Sequence, residues 1–135
     1  MPTIVAPARP RRISATLWFI RALLALVFVA AGGAKLYGVP MLVEGFQHIG
    51  LGQWFRYVTG GLEIAGAILL LLPQKAALGA LLLICIMTGA VITHLFVIGG
   101  SAVPATVLLA LNAVVAYAER GQIAWLANTS PAKTS

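Results

Sequence analysis

The sequence predicts an all-α, polytopic membrane protein: a four-transmembrane-helix bundle with a short interfacial helix between spans 1 and 2. Three observations carry the prediction. Hydrophobic residues make up 61% of the 135-residue chain and charged residues 9%, whereas a soluble domain carries about 25% charged residues. The apolar residues gather in four stretches of roughly 17 to 23 residues, and at about 1.5 Å of rise per residue each suits a hydrocarbon core about 30 Å thick. The strand-length alternation of polar and apolar residues that marks a membrane β-barrel is missing.

Residues 1–12, MPTIVAPARPRR, are rich in proline and arginine and read as a disordered basic tail. The first span runs from about residue 13 to 34. Its Arg21 lies two turns from the start, close enough for the long stem to snorkel to the headgroups, with Trp18 as an interfacial anchor. The linker VPMLVEGFQHIGLGQ is too short and polar to cross. Pro40 can open a helix over 40–49, Leu42, Phe46 and Ile49 share one face, Glu44, Gln47 and His48 share another, and Gly50 can stop it. Such a helix lies on the bilayer surface. The second span covers 54–72 and ends at Pro73, the third covers 76–98, and the fourth covers 102–118 with Pro104 tolerated in its first turn. Residues 121–135 read as a polar C-terminal tail.

Lysine and arginine in the flanks set the orientation. With the N-terminus inside, Arg9, Arg11, Arg12, Arg21, Lys75, Arg120 and Lys133 fall on the inner side, seven in all, against Lys35 and Arg56 outside. The positive-inside rule then places both termini in the cytoplasm of a cell with this protein in its inner membrane. A cleaved signal peptide would share the basic start and apolar run, but this run is long and its loss would remove Lys35 from the core.

The same distribution excludes nucleic acid as a partner: the net charge of +6 is scattered over segment ends and not gathered on one face. A single cysteine, Cys85, excludes an intrachain disulfide and thiolate metal sites. No metal is expected, because the paired Glu and Glu-x-x-His sets of di-iron bundles are absent. Phosphate-loop, dinucleotide and nucleophile-elbow patterns are absent too.

The candidate site follows from Glu63. A carboxylate inside an apolar span is costly and marks a functional site by default. It lies nine residues, or about 14 Å, below Trp54. Side chains tilt toward the N-terminus of their own helix, which directs Glu63 and Asn112 outward and His94 and Lys35 inward, so that four helices each aim one polar group into the outer half of the bundle. Small residues accompany them: Gly60, Gly66 and Ala67 around Glu63, Gly32 near Lys35, Ala105 and Ala116 near Asn112. Such residues mark faces where membrane helices approach closely. Glu63, His94 and Lys35 are therefore the candidate catalytic residues, with Asn112, Thr59 and Arg56 as candidate contacts to a bound cofactor. A carboxylate with a lysine or imidazole beside it can hold or relay a proton, as quinone reduction and proton-coupled transport both require. The plainer alternative is a buried ion pair that only fixes helix register.

The run GGAKLYG from Gly32, the segment ending FQHIGLG, the stretch TGGLEIAGAILLL around Glu63, the run GAVITHLFVIGG around His94 and the Pro104 opening of the last span resemble the DoxX and DoxX-like family over roughly residues 30–118. The resemblance implies a four-helix membrane fold and association with membrane oxidoreductase systems, since relatives include a subunit of quinone-linked thiosulfate oxidation and a component of a thiol-stress complex. Lys35, Glu63 and His94 fall on positions of the family pattern. The expected role is an accessory or quinone-facing component of a membrane redox or stress-response complex, an oxidoreductase subunit and not a self-sufficient enzyme. Its partners would be the lipid bilayer and other subunits. Two alternatives stand beside it: a small-molecule or proton transporter, for which a homodimer would supply the second half, and a membrane scaffold or assembly factor.

Overall fold

A computed structural model of the protein describes residues 14–128. The chain folds as helices α1 (Ala15–Tyr37), α2 (Pro40–Ile49), α3 (Gln53–Leu71), α4 (Ala76–Thr93), α5 (Val103–Ala118) and α6 (Arg120–Asn128), with a π-helical turn over His94–Ile98 prolonging α4. Helices α1, α3 and the continuous run Ala76–Ile98 are long and apolar enough to cross a membrane, and α5 is a shorter apolar helix of 16 residues. The protein is a multi-pass membrane protein.

Local signals set the helix ends. Ser14 caps α1, its side-chain oxygen accepting from the Leu17 N–H at 3.2 Å. Gly38 closes α1 and Gly50 closes α2, with φ of 87° and 82°, left-handed values that glycine adopts without a Cβ clash. Pro40 and Pro104 stand in the first turns of α2 and α5, where a missing N–H costs nothing. The π-helical turn ends at Gly99 and Gly100, both at positive φ.

Helix α1 packs on α3, α3 on α4, α4 on α5, and α5 closes the ring on α1. Glycines set the tight approaches. A Cβ at Gly79 would meet the Gly66 carbonyl oxygen at 2.8 Å, and one at Gly66 would strike Leu83. The core holds Leu24, Phe28, Ala67, Leu70, Leu83 and Val115, while large apolar side chains such as Phe19, Leu26, Ile68 and Phe96 point outward, as a lipid-facing surface requires. On α2, Phe46 is buried edge-to-face against Phe55 of α3, ring centroids 5.9 Å apart. Glu44, Gln47 and His48 are exposed, the division of faces that the sequence predicts.

Two expectations change at the opposite end of the bundle. Arg21 does not snorkel: its side chain is fully buried, Nε donates to the Leu70 carbonyl at 2.6 Å, Nη2 donates toward Leu72 O at 3.4 Å, and the guanidinium lies 4.4 Å from the Trp18 ring. The reason is that the last carbonyls of α3 have no helical N–H donors of their own, and a neighbouring arginine supplies them. Residues 121–128, placed in the polar tail, continue as α6. Gln122 fastens it by donating to the Glu119 carboxylate at 2.8 Å while its amide oxygen accepts from the Ala77 N–H at 3.0 Å. The expected tail over residues 1–12, and residues 129–135, lie outside the described residues.

Candidate functional site

The site begins with a close crossing. A Cβ at Gly32 of α1 would stand 2.6 Å from the Gly60 carbonyl oxygen of α3, and one at Gly60 would stand 2.9 Å from Gly32 O. The absence of side chains at both positions is what lets the two backbones touch. Lys35 and Glu63 each lie three residues beyond the glycine of their own helix. Because α1 and α3 run antiparallel and side chains lean toward their own N-terminus, both side chains lean back toward the crossing and meet there.

They meet in a two-pronged pair. Lys35 Nζ donates to Glu63 Oε1 at 3.1 Å and to Oε2 at 3.0 Å. Glu63 retains 2% of its side-chain exposure and Lys35 14%, so the carboxylate is sealed and the ammonium keeps a narrow opening. An ion pair withdrawn from water holds only when geometry is good and the remaining lone pairs are served. Here both carboxylate oxygens are served by one cation.

Arg56 backs this arrangement. It is buried, donates through Nε to Gln53 Oε1 at 2.7 Å and through Nη1 to the Lys35 backbone carbonyl. Gln53 in turn donates to the Val43 carbonyl at 3.1 Å, which ties α2 to the start of α3. Arg56 thus fixes the backbone from which the Lys35 side chain projects. Thr59, half-buried one turn before Glu63, spends its hydroxyl proton on the Phe55 carbonyl at 2.8 Å.

The other candidates lie apart from the pair. His94 Nδ1 is 3.1 Å from the Gly99 carbonyl; a carbonyl only accepts, so Nδ1 carries the proton and Nε2 remains free for a donor. The turn bearing His94 packs against α2, and among the described residues the hydrogen-bonding partner of Glu63 is Lys35. Asn112 is fully buried, its Nδ2 donating to Leu108 O at 2.8 Å while Oδ1 has no partner. Helices α3 and α5 face each other diagonally across the ring, so Asn112 reaches the interior from the side opposite Glu63. Of the four groups expected to converge, Lys35 and Glu63 are joined by hydrogen bonds.

Sequence reasoning missed the cluster at the other end, where Arg21, Glu119 and Gln122 gather. The Glu119 side chain is buried, and Arg21 Nη1 is buried without a hydrogen-bond partner. The signal was present as an arginine in an apolar span and a glutamate at the end of another. Nearby, a shallow apolar groove of about 270 Å³ opens between Ala22, Ala25, Leu26, Val29 and Leu71. Among the described residues, no three His, Cys, Asp or Glu side chains gather as a metal site would need.

Comparison with known proteins agrees with this architecture. Residues 19–116 match the sequence profile of the DoxX-like family. The uncharacterized protein YdgD of Bacillus subtilis (strain 168) is 43% identical over 75 residues, covering 52% of this chain and 66% of that relative. The match thus spans just under two thirds of the relative's length. No solved structure matches the chain.

Proposed function

Since the chain belongs to the DoxX-like family, we propose that it serves as an accessory, quinone-facing subunit of a membrane redox or stress-response complex, with both termini in the cytoplasm. The observation that carries the proposal is the sealed Lys35–Glu63 pair, one proton held between two groups inside a membrane bundle. In a low dielectric, an ammonium facing a carboxylate and an amine facing a carboxylic acid differ less in energy than they do in water, because separated charge is expensive there. The proton can therefore reside on either group. The partial opening at Lys35 supplies the direction from which a proton would be exchanged.

A quinone supplies acceptance of two electrons and two protons. The residues fit one in part: His94 keeps Nε2 free as an acceptor at the end of its span, Lys35 keeps a partial opening, and Arg56 holds the Lys35 backbone in place. In this reading Glu63 holds the proton, Lys35 balances its charge, and His94 Nε2 accepts from a hydroxyl of the reduced quinone. Thr59 and Asn112 have their donors on backbone carbonyls, and Asn112 Oδ1 is a buried acceptor without a partner among the described residues. The inner-membrane orientation draws its support from the seven lysines and arginines on one side against two on the other.

Purification in mild detergent, followed by identification of co-purifying lipid-soluble molecules and proteins, tests the proposal together with Glu63→Gln. The expected result is a bound quinone, a redox partner, and quinone turnover at least about a hundredfold slower in the variant, in keeping with the loss of a positioned proton donor. A preparation without quinone and a variant matching wild type would refute it. The scaffold reading is favoured by the same glycine crossing, which holds the pair rigidly. Under that reading Glu63→Ala lowers partner abundance and leaves the redox rate per complex unchanged.

A further inference from the structure

The buried charge at the end of the bundle where α1 stops and α3 starts does not balance, Glu44 of α2 being exposed to solvent. Arg56, Lys35 and Glu63 are two cations and one anion, all drawn into the protein, with Arg56 only 4% exposed. Lys35 commits its ammonium to Glu63. Arg56 has only neutral acceptors, Gln53 Oε1 and the Lys35 carbonyl, and its guanidinium lies 4.4 Å from the Tyr57 ring. Among the described residues, no carboxylate lies within ion-pair distance of Arg56 and its Nη2 has no acceptor. A guanidinium in apolar surroundings without a counter-charge is costly.

The start of α3 adds to the imbalance. Gly52, its N-cap, offers no side chain to accept from the first turn; Phe55 N–H donates to the Gly52 carbonyl at 3.3 Å, and the N–H groups of Gln53 and Trp54 stay open at the positive end of a 19-residue helix dipole. Tyr37, Trp54 and Tyr57 stand exposed around this end, and exposed tyrosine and tryptophan at span ends sit at headgroup level. The free positive charge therefore lies at the depth where lipid phosphates are found.

We infer that this end of the bundle binds the phosphate of an anionic lipid headgroup, with Arg56 Nη2 as principal donor and the open N–H groups of the first turn of α3 beside it. With Nε and Nη1 committed, Arg56 offers a phosphate the N–H groups of Nη2 on a guanidinium that stays charged. The lipid supplies the counter-charge that the buried groups at this end omit, and it covers the one Arg56 nitrogen without an acceptor among the described residues. Lipid binding does not require Glu63 to move a proton, although Arg56 also holds the Lys35 backbone. It would bind with or without a redox partner.

The test uses the full chain in neutral detergent, with lipid retention followed by native mass spectrometry. Phosphatidylglycerol, phosphatidylcholine and inorganic phosphate are compared. Wild type should retain phosphatidylglycerol at least about tenfold more tightly than phosphatidylcholine, equivalent to about 1.4 kcal/mol. Arg56→Gln should reduce the ratio to near one, Arg56→Lys should leave an intermediate ratio, and Lys75→Gln, an exposed cation at the other end, should keep the full ratio. Equal retention of both lipids by wild type would overturn the inference. So would loss of the preference in Lys75→Gln, and inorganic phosphate competing as well as the lipid would overturn the lipid assignment. If Arg56→Gln fails to fold, the wild-type comparison and Arg56→Lys decide.

Discussion

Gly32→Ala is the sharpest structural perturbation available. A Cβ at this position would lie 2.6 Å from Gly60 O and 2.8 Å from Ile64 Cγ1, and unstrained contacts begin at about 3.4 Å. The two helices must therefore part by about 0.8 Å at the crossing, since the obstructing atom is backbone and cannot rotate away. Overpacking of this kind costs about 1–3 kcal/mol. For a domain of this size that lowers the unfolding midpoint by on the order of 5–10 °C. The Lys35–Glu63 contacts of 3.1 and 3.0 Å lie on the same crossing and should lengthen with it. Gly33→Ala is the control: nothing lies within 4 Å of a Cβ there, and alanine gains about 1 kcal/mol of helix propensity over glycine. Thermal unfolding in one detergent, followed by circular dichroism, reads both variants. Equal midpoints for the two alanines would refute the crossing.

Three further outcomes are expected. Asn112→Leu should leave stability unchanged or raise it by about 1 kcal/mol, because it removes a buried acceptor that has no partner; thermal unfolding in detergent checks it. Arg21→Leu should cost about 1–3 kcal/mol by stripping donors from the last carbonyls of α3, and hydrogen exchange should quicken most around residues 70–75. Cys85, exposed near the middle of the run Ala76–Ile98, should react with a lipid-soluble maleimide in intact vesicles and resist a charged, water-soluble one; equal labelling by both would contradict the span.

The fold was legible because solvent writes itself into composition: apolar runs of fixed length, proline at helix starts and glycine at helix stops all carry local meaning. Pro40, Gly50 and Pro104 stand where the sequence expects them. The partner of Glu63 was legible only as a pair of alternatives. Spacing gives depth and side-chain direction, but not which helices are neighbours, and it was the contact of α1 with α3 that brought Lys35 to the carboxylate. His94 has a local partner that spacing does not show. Its nearest acceptor is the Gly99 carbonyl freed by the end of its own helix, a local competitor that no helical wheel contains. Arg21 was read as a surface anchor because its distance from the span start fits snorkelling, whereas the acceptors that draw it inward belong to residues 49 and 51 positions away. The glycines at 32 and 60, each three residues before a member of the pair, carried more of the site than any charged residue outside it.

The account rests on Lys35 and Glu63 acting as one unit inside the bundle, and a double-mutant cycle measures that directly. Unfolding free energies of wild type, Lys35→Met, Glu63→Gln and the double variant are compared in one detergent. Each single change strands a polar or charged group and should be clearly destabilising, while the double variant should recover part of the loss, giving a coupling of at least about 1 kcal/mol. Additivity to within about 0.5 kcal/mol would mean that the two side chains do not interact, and the proposed site would have no basis.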